Sequence, residues 1–199
     1  MIKTVIFDID GVVATFDFPS ICQEFERLTD ISATELTTVF DRNKEELLLG
    51  HMSAEQFFSQ LSQKHSQAIS GLVQAWRQAG IKHVSLNQDI IKLIRVLRGQ
   101  YSIGVLSNAS SLRKIIDTAM EDFYTEFDFT LFSCNEGMKK PDPDFFRLAL
   151  KQASASPEQA IFVDNREKYI TAAVALGIRG VVYSDTQSLE RDLRVILES

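Results

Sequence analysis

Short apolar runs that end in polar residues recur along the chain. Their β-branched and aromatic residues leave no polar face, so each run predicts a buried strand of a parallel sheet. The predicted strands are Val5–Phe7, Ile103–Leu106, Phe129–Phe132, Ile161–Val163 and Gly180–Tyr183.

Segments with helical spacing of apolar residues lie between these runs. Asn87 is a candidate N-cap, Asp142 followed by Pro143 marks another helix start, and Gly177 is a candidate C-cap. The apolar positions of two such helices are Ile90, Ile91, Ile94 and Leu97 in one, and Leu112, Ile115, Ile116 and Ala119 in the other. Strands that alternate with helices predict an α/β fold with a doubly wound, Rossmann-like parallel sheet and right-handed crossovers.

Residues 17–85 interrupt this alternation, because they contain helical patterns only. Two capping-box sequences, Ser32 with Glu35 and Ser53 with Gln56, precede apolar stripes of helical spacing. The sequence therefore predicts a small helical cap, residues 17–85, inserted after the first strand. The α/β core would consist of residues 1–16 and 86–199.

Composition and charge narrow the class of protein. Hydrophobic residues make up 45% and charged residues 24% of the chain, and the formal net charge is -6. An acidic chain without a basic stripe argues against nucleic-acid binding. Cys22 and Cys134 lack metal-type spacing, and no apolar run approaches the ~18 residues that a membrane span needs. We expect a soluble, cytoplasmic protein, monomeric or homodimeric, without nucleic-acid or membrane partners.

The polar residues at the predicted strand ends should meet at one edge of the sheet, since ligands bind outside the carboxyl ends of parallel strands. These residues are Asp8, Asp10, Ser107, Asn108 and Asp164, and Lys140 directly precedes the helix that Pro143 starts. Carboxylates, a hydroxyl and an ammonium suit phosphoryl transfer, in which oxygen ligands hold Mg²⁺ and cationic donors neutralise phosphate oxygens.

Four segments, in order, resemble the motifs of the haloacid dehalogenase superfamily. They are Phe7–Val12, Leu106–Asn108, Gly137–Pro143 and Phe162–Asn165. The predicted inserted helices are similar to the helical cap that many members carry directly after the first motif. The resemblance extends from Asp8 to about Gly177.

The resemblance implies a magnesium-dependent phosphatase that works through an aspartyl-phosphate. Asp8 would be the nucleophile, and Asp10 would protonate the leaving oxygen and later activate water. Mg²⁺ would bind Asp8, the backbone carbonyl of Asp10, and Asp164. Ser107, Asn108 and Lys140 would bind the phosphate, with Lys140 also stabilising charge during the transfer.

Asn165 departs from the pattern, because the fourth motif usually supplies a second acid. An amide can accept a hydrogen bond from a metal-bound water but adds no charge, so we expect weaker magnesium affinity than in a two-acid relative. Glu167 is a candidate substitute at longer reach. Thr15 stands where an acid often follows the first motif, with Asp17 two residues later.

Structural interpretations compete with functional ones at several positions. Any polar residue at a strand end can simply cap a turn or helix, and Asp142 is best explained as an N-cap. The histidines His51, His65 and His83 have no metal-like spacing. Trp76 with Phe57 and Phe58 is more typical of a cap core than of a substrate site, and Cys134 is more typical of a structural thiol than of a nucleophile.

Alternative functions remain at the sequence level. A dehalogenase would not need magnesium or a leaving-group acid, so Asp10 and Asp164 argue against one. A phosphomutase of the same fold shares the aspartyl-phosphate, and a catalytically impaired binding or regulatory module would keep the fold alone. The substrate is expected to be a small phosphorylated metabolite, with sugar phosphates favoured.

Overall fold

A five-stranded parallel sheet forms the centre of the molecule, which a computed structural model describes for residues 1–117 and 121–198. Its strands are Thr4–Phe7 (β1), Ser102–Ser107 (β4), Phe129–Phe132 (β5), Ala160–Asp164 (β6) and Arg179–Val182 (β7). They lie in the order β5-β4-β1-β6-β7, and each neighbouring pair is parallel. All five predicted strands are confirmed, and β1 lies in the middle.

Helices cover both faces of the sheet. Those outside the insertion are Gln88–Leu97 (α5), Ser111–Asp117 (α6), Glu121–Tyr124 (α7), Ser133–Glu136 (α8), Pro143–Gln152 (α9), Glu167–Ala175 (α10) and Thr186–Leu197 (α11). Alternate residues of β1 point to opposite faces: Val5 and Phe7 belong to one buried cluster, and Ile6 belongs to another. A strand that is buried on both sides explains the continuous apolar runs and confirms the doubly wound α/β fold.

The segment between β1 and α5 contains four helices and two short strands. Its helices are Phe18–Thr29 (α1), Ala33–Leu48 (α2), Ala54–His65 (α3) and Ile69–Lys82 (α4). The strands Ala14–Phe16 (β2) and Val84–Leu86 (β3) pair antiparallel at the two ends of this helical segment. The helices were predicted, whereas the two strands, of three residues each, were not.

The four inserted helices enclose a buried cluster that also includes Leu112 and Ile116 of α6. The indole N–H of Trp76 donates to the carbonyl of Leu112 at 2.9 Å. The helical segment is therefore packed directly on the α/β core. The division into a core of residues 1–16 and 86–199 and a cap of residues 17–85 stays a prediction.

Capping follows the sequence with one difference. Ser53 and Gln56 form the full capping box of α3, because each side chain bonds the other residue's backbone N–H. At α2, Ser32 accepts from the N–H of Glu35, but the Glu35 carboxylate binds Lys64 and His65 instead. Here an ion pair between helices replaces the reciprocal half of the box.

Helix starts and ends outside the insertion match the sequence pattern. Asn87 accepts from the N–H of Ile90, Asp142 accepts from the N–H of Asp144, and Gly177 follows α10 with φ +88°. Ala119, which was predicted to extend the apolar stripe of α6, lies outside the described residues. Among the helices of the described residues, none has both the length and the apolarity that a membrane crossing requires.

Candidate active site

The carboxyl ends of β1, β4 and β6 bring the predicted site residues to one edge of the sheet. Asp8 follows β1 directly, and its N–H donates to the carbonyl of Val163 at 2.9 Å. Ser107 and Asp164 are the last residues of β4 and β6. Because β1 lies between β4 and β6, a single location is within reach of all three strand ends.

Lys140 lies between two carboxylates. Its Nζ is 2.9 Å from Oδ1 of Asp8 and 2.7 Å from Oδ2 of Asp164, and its side chain is only 1% exposed. The rings of Phe162 and Tyr169 have their centres 5.2 and 5.1 Å from the same nitrogen. A lysine buried this deeply needs charged partners, and Asp8 and Asp164 supply them.

Asn108 fixes the backbone of Lys140. Its Oδ1 accepts from the N–H of Lys140 at 2.7 Å, and its Nδ2 donates to the carbonyl of Lys140 at 2.9 Å and to the hydroxyl of Tyr169 at 3.2 Å. The side-chain amide therefore orients the lysine in this structure. Phosphate binding by Asn108, which the sequence suggested, stays a prediction.

Asp10 takes part in a second charged network, which the sequence did not predict. Its Oδ1 is 2.9 Å from a guanidinium nitrogen of Arg113, whose Nε donates to Asp117 at 2.6 Å. The hydroxyl of Tyr124 also donates to Asp117, and the guanidinium carbon lies 2.9 Å from the centre of the Phe16 ring. Arg113 is 7% exposed, and its Nη2 is a buried donor without a partner among the described residues.

The only sequence signal for Arg113 was its spacing of four residues from Asp117 on α6. That spacing is equally typical of an ion pair on an exposed helix surface. The long-range partner, Asp10, comes from a strand end more than a hundred residues earlier, so a local pattern could not have identified it.

The pKa values of Asp10, Asp164 and Arg113 are all raised, but for different reasons. Burial raises the pKa of Asp10; the Arg113 guanidinium opposes this rise, and the Asp8 carboxylate adds to it. Burial likewise raises the pKa of Asp164, against the effect of the Lys140 ammonium. Burial alone would lower the pKa of Arg113, but the carboxylates of Asp10 and Asp117 raise it on balance. Arg113 therefore stays a cation, and the raised pKa of Asp10 favours a protonated carboxyl, as a proton donor requires.

A cavity of about 990 Å³ adjoins these residues, between the sheet edge and the inserted helices. Asp8, Asp10, Asn108, Lys140 and Asn165 line it on the core side. The Asp10 side chain lines this cavity and is 44% exposed. Ser107 and Asp164, which are 1% and 0% exposed, lie behind the cavity surface.

Gly11 and Asn165 are in direct contact at the rim of the site. Gly11 has φ +82°, and a Cβ there would lie 2.2 Å from Nδ2 of Asn165. Glycine is therefore required both by the backbone conformation and by the side chain against it. The contact places the amide of Asn165 beside the turn that follows Asp10.

The donor chemistry of Asp8 and Asp164 fits Mg²⁺. Both are hard oxygen ligands, and with both carboxylates ionised the cluster with Lys140 has more negative than positive charge. Within residues 1–117 and 121–198, no three His, Cys, Asp or Glu side chains form a group that could hold a metal. Two carboxylates and a backbone carbonyl, the set implied by the sequence, do not depend on such a group.

The histidines and cysteines take no part in this site. His51, between α2 and α3, pairs with Glu46 at 3.4 Å, and His65 of α3 pairs with Glu35 of α2 at 3.1 Å. Both cysteines are free thiols, and burial raises the pKa of Cys134, which disfavours a thiolate nucleophile.

Known proteins resemble this chain in sequence and in fold. The sesquiterpene phosphatase astK of Aspergillus oryzae is 27% identical over 98% of this chain and 96% of its own length. D-ribitol-5-phosphate phosphatase of Bacteroides thetaiotaomicron is 26% identical over 100% of both chains. Drimenol cyclase drtB of Aspergillus calidoustus is 24% identical over 100% of this chain, which spans 37% of that protein's length.

A HAD family enzyme from Bacteroides thetaiotaomicron, solved in complex with magnesium and inorganic phosphate, has the same fold. Its TM-score is 0.75 at 20% identity, over 95% of this chain and 99% of that one. A family model described as haloacid dehalogenase-like hydrolase matches residues 2–177. That match includes every motif on which the sequence resemblance rests, so this chain belongs to the haloacid dehalogenase-like hydrolases.

Proposed function

We propose that this protein is a magnesium-dependent phosphatase that hydrolyses monoesters of small phosphorylated molecules through Asp8. One observation carries the proposal: the buried Nζ of Lys140 bridges Asp8 and Asp164 at the strand ends, beside the cavity that Asp10 lines. The two phosphatases among the relatives, and the related fold that holds magnesium and phosphate, support it.

Asp8 and Asp10 perform the two halves of the reaction. A carboxylate oxygen of Asp8 attacks phosphorus, the bond from phosphorus to the ester oxygen breaks, and Asp10 gives its proton to the departing alcohol. Asp10 then takes a proton from water, whose oxygen attacks the phosphorus of the aspartyl-phosphate. Inorganic phosphate leaves, and Asp8 and Asp10 return to their starting states.

Asp8, Asp164 and the backbone carbonyl of Asp10 would hold Mg²⁺, with Asn165 in contact through a metal-bound water. The ion supplies positive charge that allows an anionic phosphate to approach an anionic nucleophile. Lys140 binds phosphate oxygens with its ammonium, and Ser107 and Asn108 complete the phosphate site. The Asn108 contacts with the Lys140 backbone support the position of this ammonium.

Arg113 is proposed as a positioning residue for Asp10. Its hydrogen bond to Asp10 and its ion pair with Asp117 place the Asp10 carboxyl at the cavity wall in one orientation. A proton donor must be held within hydrogen-bond reach of the oxygen that it protonates. Arg113 acts on the reaction through Asp10 and not by contact with phosphorus.

Phosphate release from a panel of phosphate monoesters tests the proposal, with Mg²⁺ and with a chelator. We expect release only in the presence of Mg²⁺ and none above background from Asp8→Asn. Activity that survives chelation or the loss of Asp8 would overturn the mechanism. Inactivity across the panel would favour a binding or regulatory module, and an isomerised phosphate ester as product would favour a mutase.

The preference for sugar phosphates stays a prediction, and the panel should include them. The ribitol phosphatase among the relatives supports it, and the sesquiterpene phosphatase supports an apolar substrate instead. The side chains that line the cavity help to decide between these two substrate classes.

A further inference from the structure

The side of the cavity opposite the sheet edge is formed by aromatic rings of β2 and of the inserted helices. Phe16, Phe18, Phe40 and Trp76 line it, and we call this set the aromatic wall. The Phe18 ring centre lies 4.6 Å from that of Phe40 and 6.1 Å from that of Trp76. Phe18 thus contacts both of the other rings and joins them into one continuous surface.

The aromatic wall presents carbon to the cavity. Phe16, Phe18 and Phe40 pack against the buried cluster of the inserted helices but remain partly exposed. The one polar atom of the wall, the indole nitrogen of Trp76, is occupied by the carbonyl of Leu112. Exposed apolar surface inside a concave site is typical of a binding surface for an apolar ligand.

The wall begins where the leaving group would depart. Phe16 stacks on the guanidinium of Arg113, and the same guanidinium binds Asp10, the proposed acid for the ester oxygen. An alcohol that leaves from the Asp10 side therefore faces the aromatic wall. This step rests on the proposed function, because it uses Asp10 as the proton donor.

Four polar residues of the inserted helices also line the cavity, and two of them already have partners. Glu45 binds Lys139, and the hydroxyl of Thr37 donates to the thiol of Cys22. Asp41 and Lys44 are exposed. A sugar would bring several hydroxyl groups against ring carbon, and each hydroxyl that loses water without gaining a partner weakens binding.

We infer that the substrates are phosphate monoesters of apolar alcohols, aromatic or branched aliphatic, whose hydrocarbon part packs on the aromatic wall. The cavity of about 990 Å³ has room for such an alcohol in addition to the phosphate. Burial of the hydrocarbon part against Phe18 and Phe40 would supply binding free energy in proportion to the apolar area removed from water.

A comparison of two primary alkyl monoesters of similar size tests the inference. 3-Phenylpropyl phosphate carries an apolar alcohol, whereas ribitol 5-phosphate carries a polyhydroxylated one with similar leaving-group chemistry. We expect kcat/KM for 3-phenylpropyl phosphate to exceed that for ribitol 5-phosphate by at least ~10-fold, the order of magnitude that a few methylene groups contribute in an apolar pocket.

Variants of Phe40 test whether the aromatic wall causes this substrate preference. Phe40→Asn should lower kcat/KM for 3-phenylpropyl phosphate by about 10-fold and change that for ribitol 5-phosphate by less than about 2-fold. Phe40→Leu keeps an apolar side chain and should retain the preference. Leu28→Asn, an apolar-to-polar change on an exposed position of α1 outside the cavity, is the control and should leave both values unchanged.

The outcomes separate this inference from the proposed function. If ribitol 5-phosphate is the better substrate, or if Phe40→Asn affects both esters equally while its circular dichroism stays native, the apolar substrate class is wrong and phosphatase activity stands. If neither ester nor any other monoester releases phosphate above the Asp8→Asn blank, both are wrong.

Discussion

At the scale of single residues, two neighbouring lysines offer a matched comparison. Lys140 is buried between Asp8 and Asp164, whereas Lys139 forms a partly exposed ion pair with Glu45. Lys140→Met leaves two buried carboxylates without their cation and should lower the free energy of unfolding by about 3–5 kcal/mol. Lys139→Met removes a surface pair and should lower it by no more than ~1 kcal/mol.

Urea unfolding of both variants measures this difference, and phosphate release measures the loss of activity. We expect Lys140→Met to lower kcat by at least about 100-fold, because charge on the transferring phosphoryl group loses a buried donor. Equal effects of the two substitutions would show that Lys140 has no special role.

The role of Arg113 can be tested with two substrates whose leaving groups differ in their need for a proton. Arg113→Met frees Asp10, so hydrolysis of an alkyl phosphate, whose leaving oxygen needs a proton, should slow by about 100-fold. p-Nitrophenyl phosphate, whose leaving group departs without protonation, should slow by less than about 10-fold. Arg113→Lys should recover part of the loss on the alkyl ester.

A purely structural role for Arg113 would lower both rates by the same factor and would contradict the positioning role. Arg95→Met, on α5, is the control for the loss of an arginine. It removes an exposed ion pair with Glu126 and should leave both rates unchanged.

A substitution at Asn165 tests whether the missing second acid weakens magnesium binding. Asn165→Asp adds a carboxylate of the same shape beside Gly11 and should lower the Mg²⁺ concentration for half-maximal activity by about 10-fold. Asn135→Asp on α8 adds the same charge at a distance from the cavity lining and is the control. An unchanged magnesium requirement in Asn165→Asp would contradict the expectation.

The residues that sequence reasoning identified share one property: each stands at a strand end or just before a helix start. Asp8, Lys140 and Asp164 could be predicted to meet because sheet topology fixes where strand ends lie. Arg113 could not, since its role depends on a side-chain contact with Asp10 across the molecule. Nor could the Asn108 contacts with Lys140, which depend on the path of the connecting loop.

At the scale of elements, apolar run length decided what could be predicted. Strands β1, β4 and β6 at the centre of the sheet are buried on both faces, and their continuous apolar runs were easily recognised. Strands β2 and β3 have three residues each, too few for an alternating pattern to be recognised. Their pairing brings the two ends of the helical segment together beside the cavity.

The capping box of α3 gives a prediction at this scale. Ser53→Ala removes the acceptor for the N–H of Gln56 and should lower the free energy of unfolding by about 1 kcal/mol. Ser59→Ala, an exposed substitution within the same helix, should be neutral or slightly stabilising because alanine favours helix. Thermal unfolding followed by circular dichroism compares them, and a destabilised Ser59→Ala beside a neutral Ser53→Ala would contradict the capping argument.

At the scale of the whole molecule, the helical segment and the α/β core share buried surface. Leu112 and Ile116 of α6 belong to the same buried cluster as the inserted helices, and the Trp76 indole bonds the carbonyl of Leu112. A helical segment of this length buries enough surface for only marginal stability alone. We therefore expect it to unfold together with the core in one cooperative transition.

Trp76 is the single tryptophan of the chain, so its fluorescence reports on the contact between the inserted helices and α6. Urea unfolding followed by Trp76 fluorescence and by far-ultraviolet circular dichroism should give the same midpoint, because circular dichroism reports on all helices and two-state unfolding requires coincident probes. A fluorescence midpoint at clearly lower urea would mean that the helical segment detaches first. The aromatic wall would then be lost while Asp8, Lys140 and Asp164 stay together, and the substrate preference would fail at lower urea than the phosphate site itself.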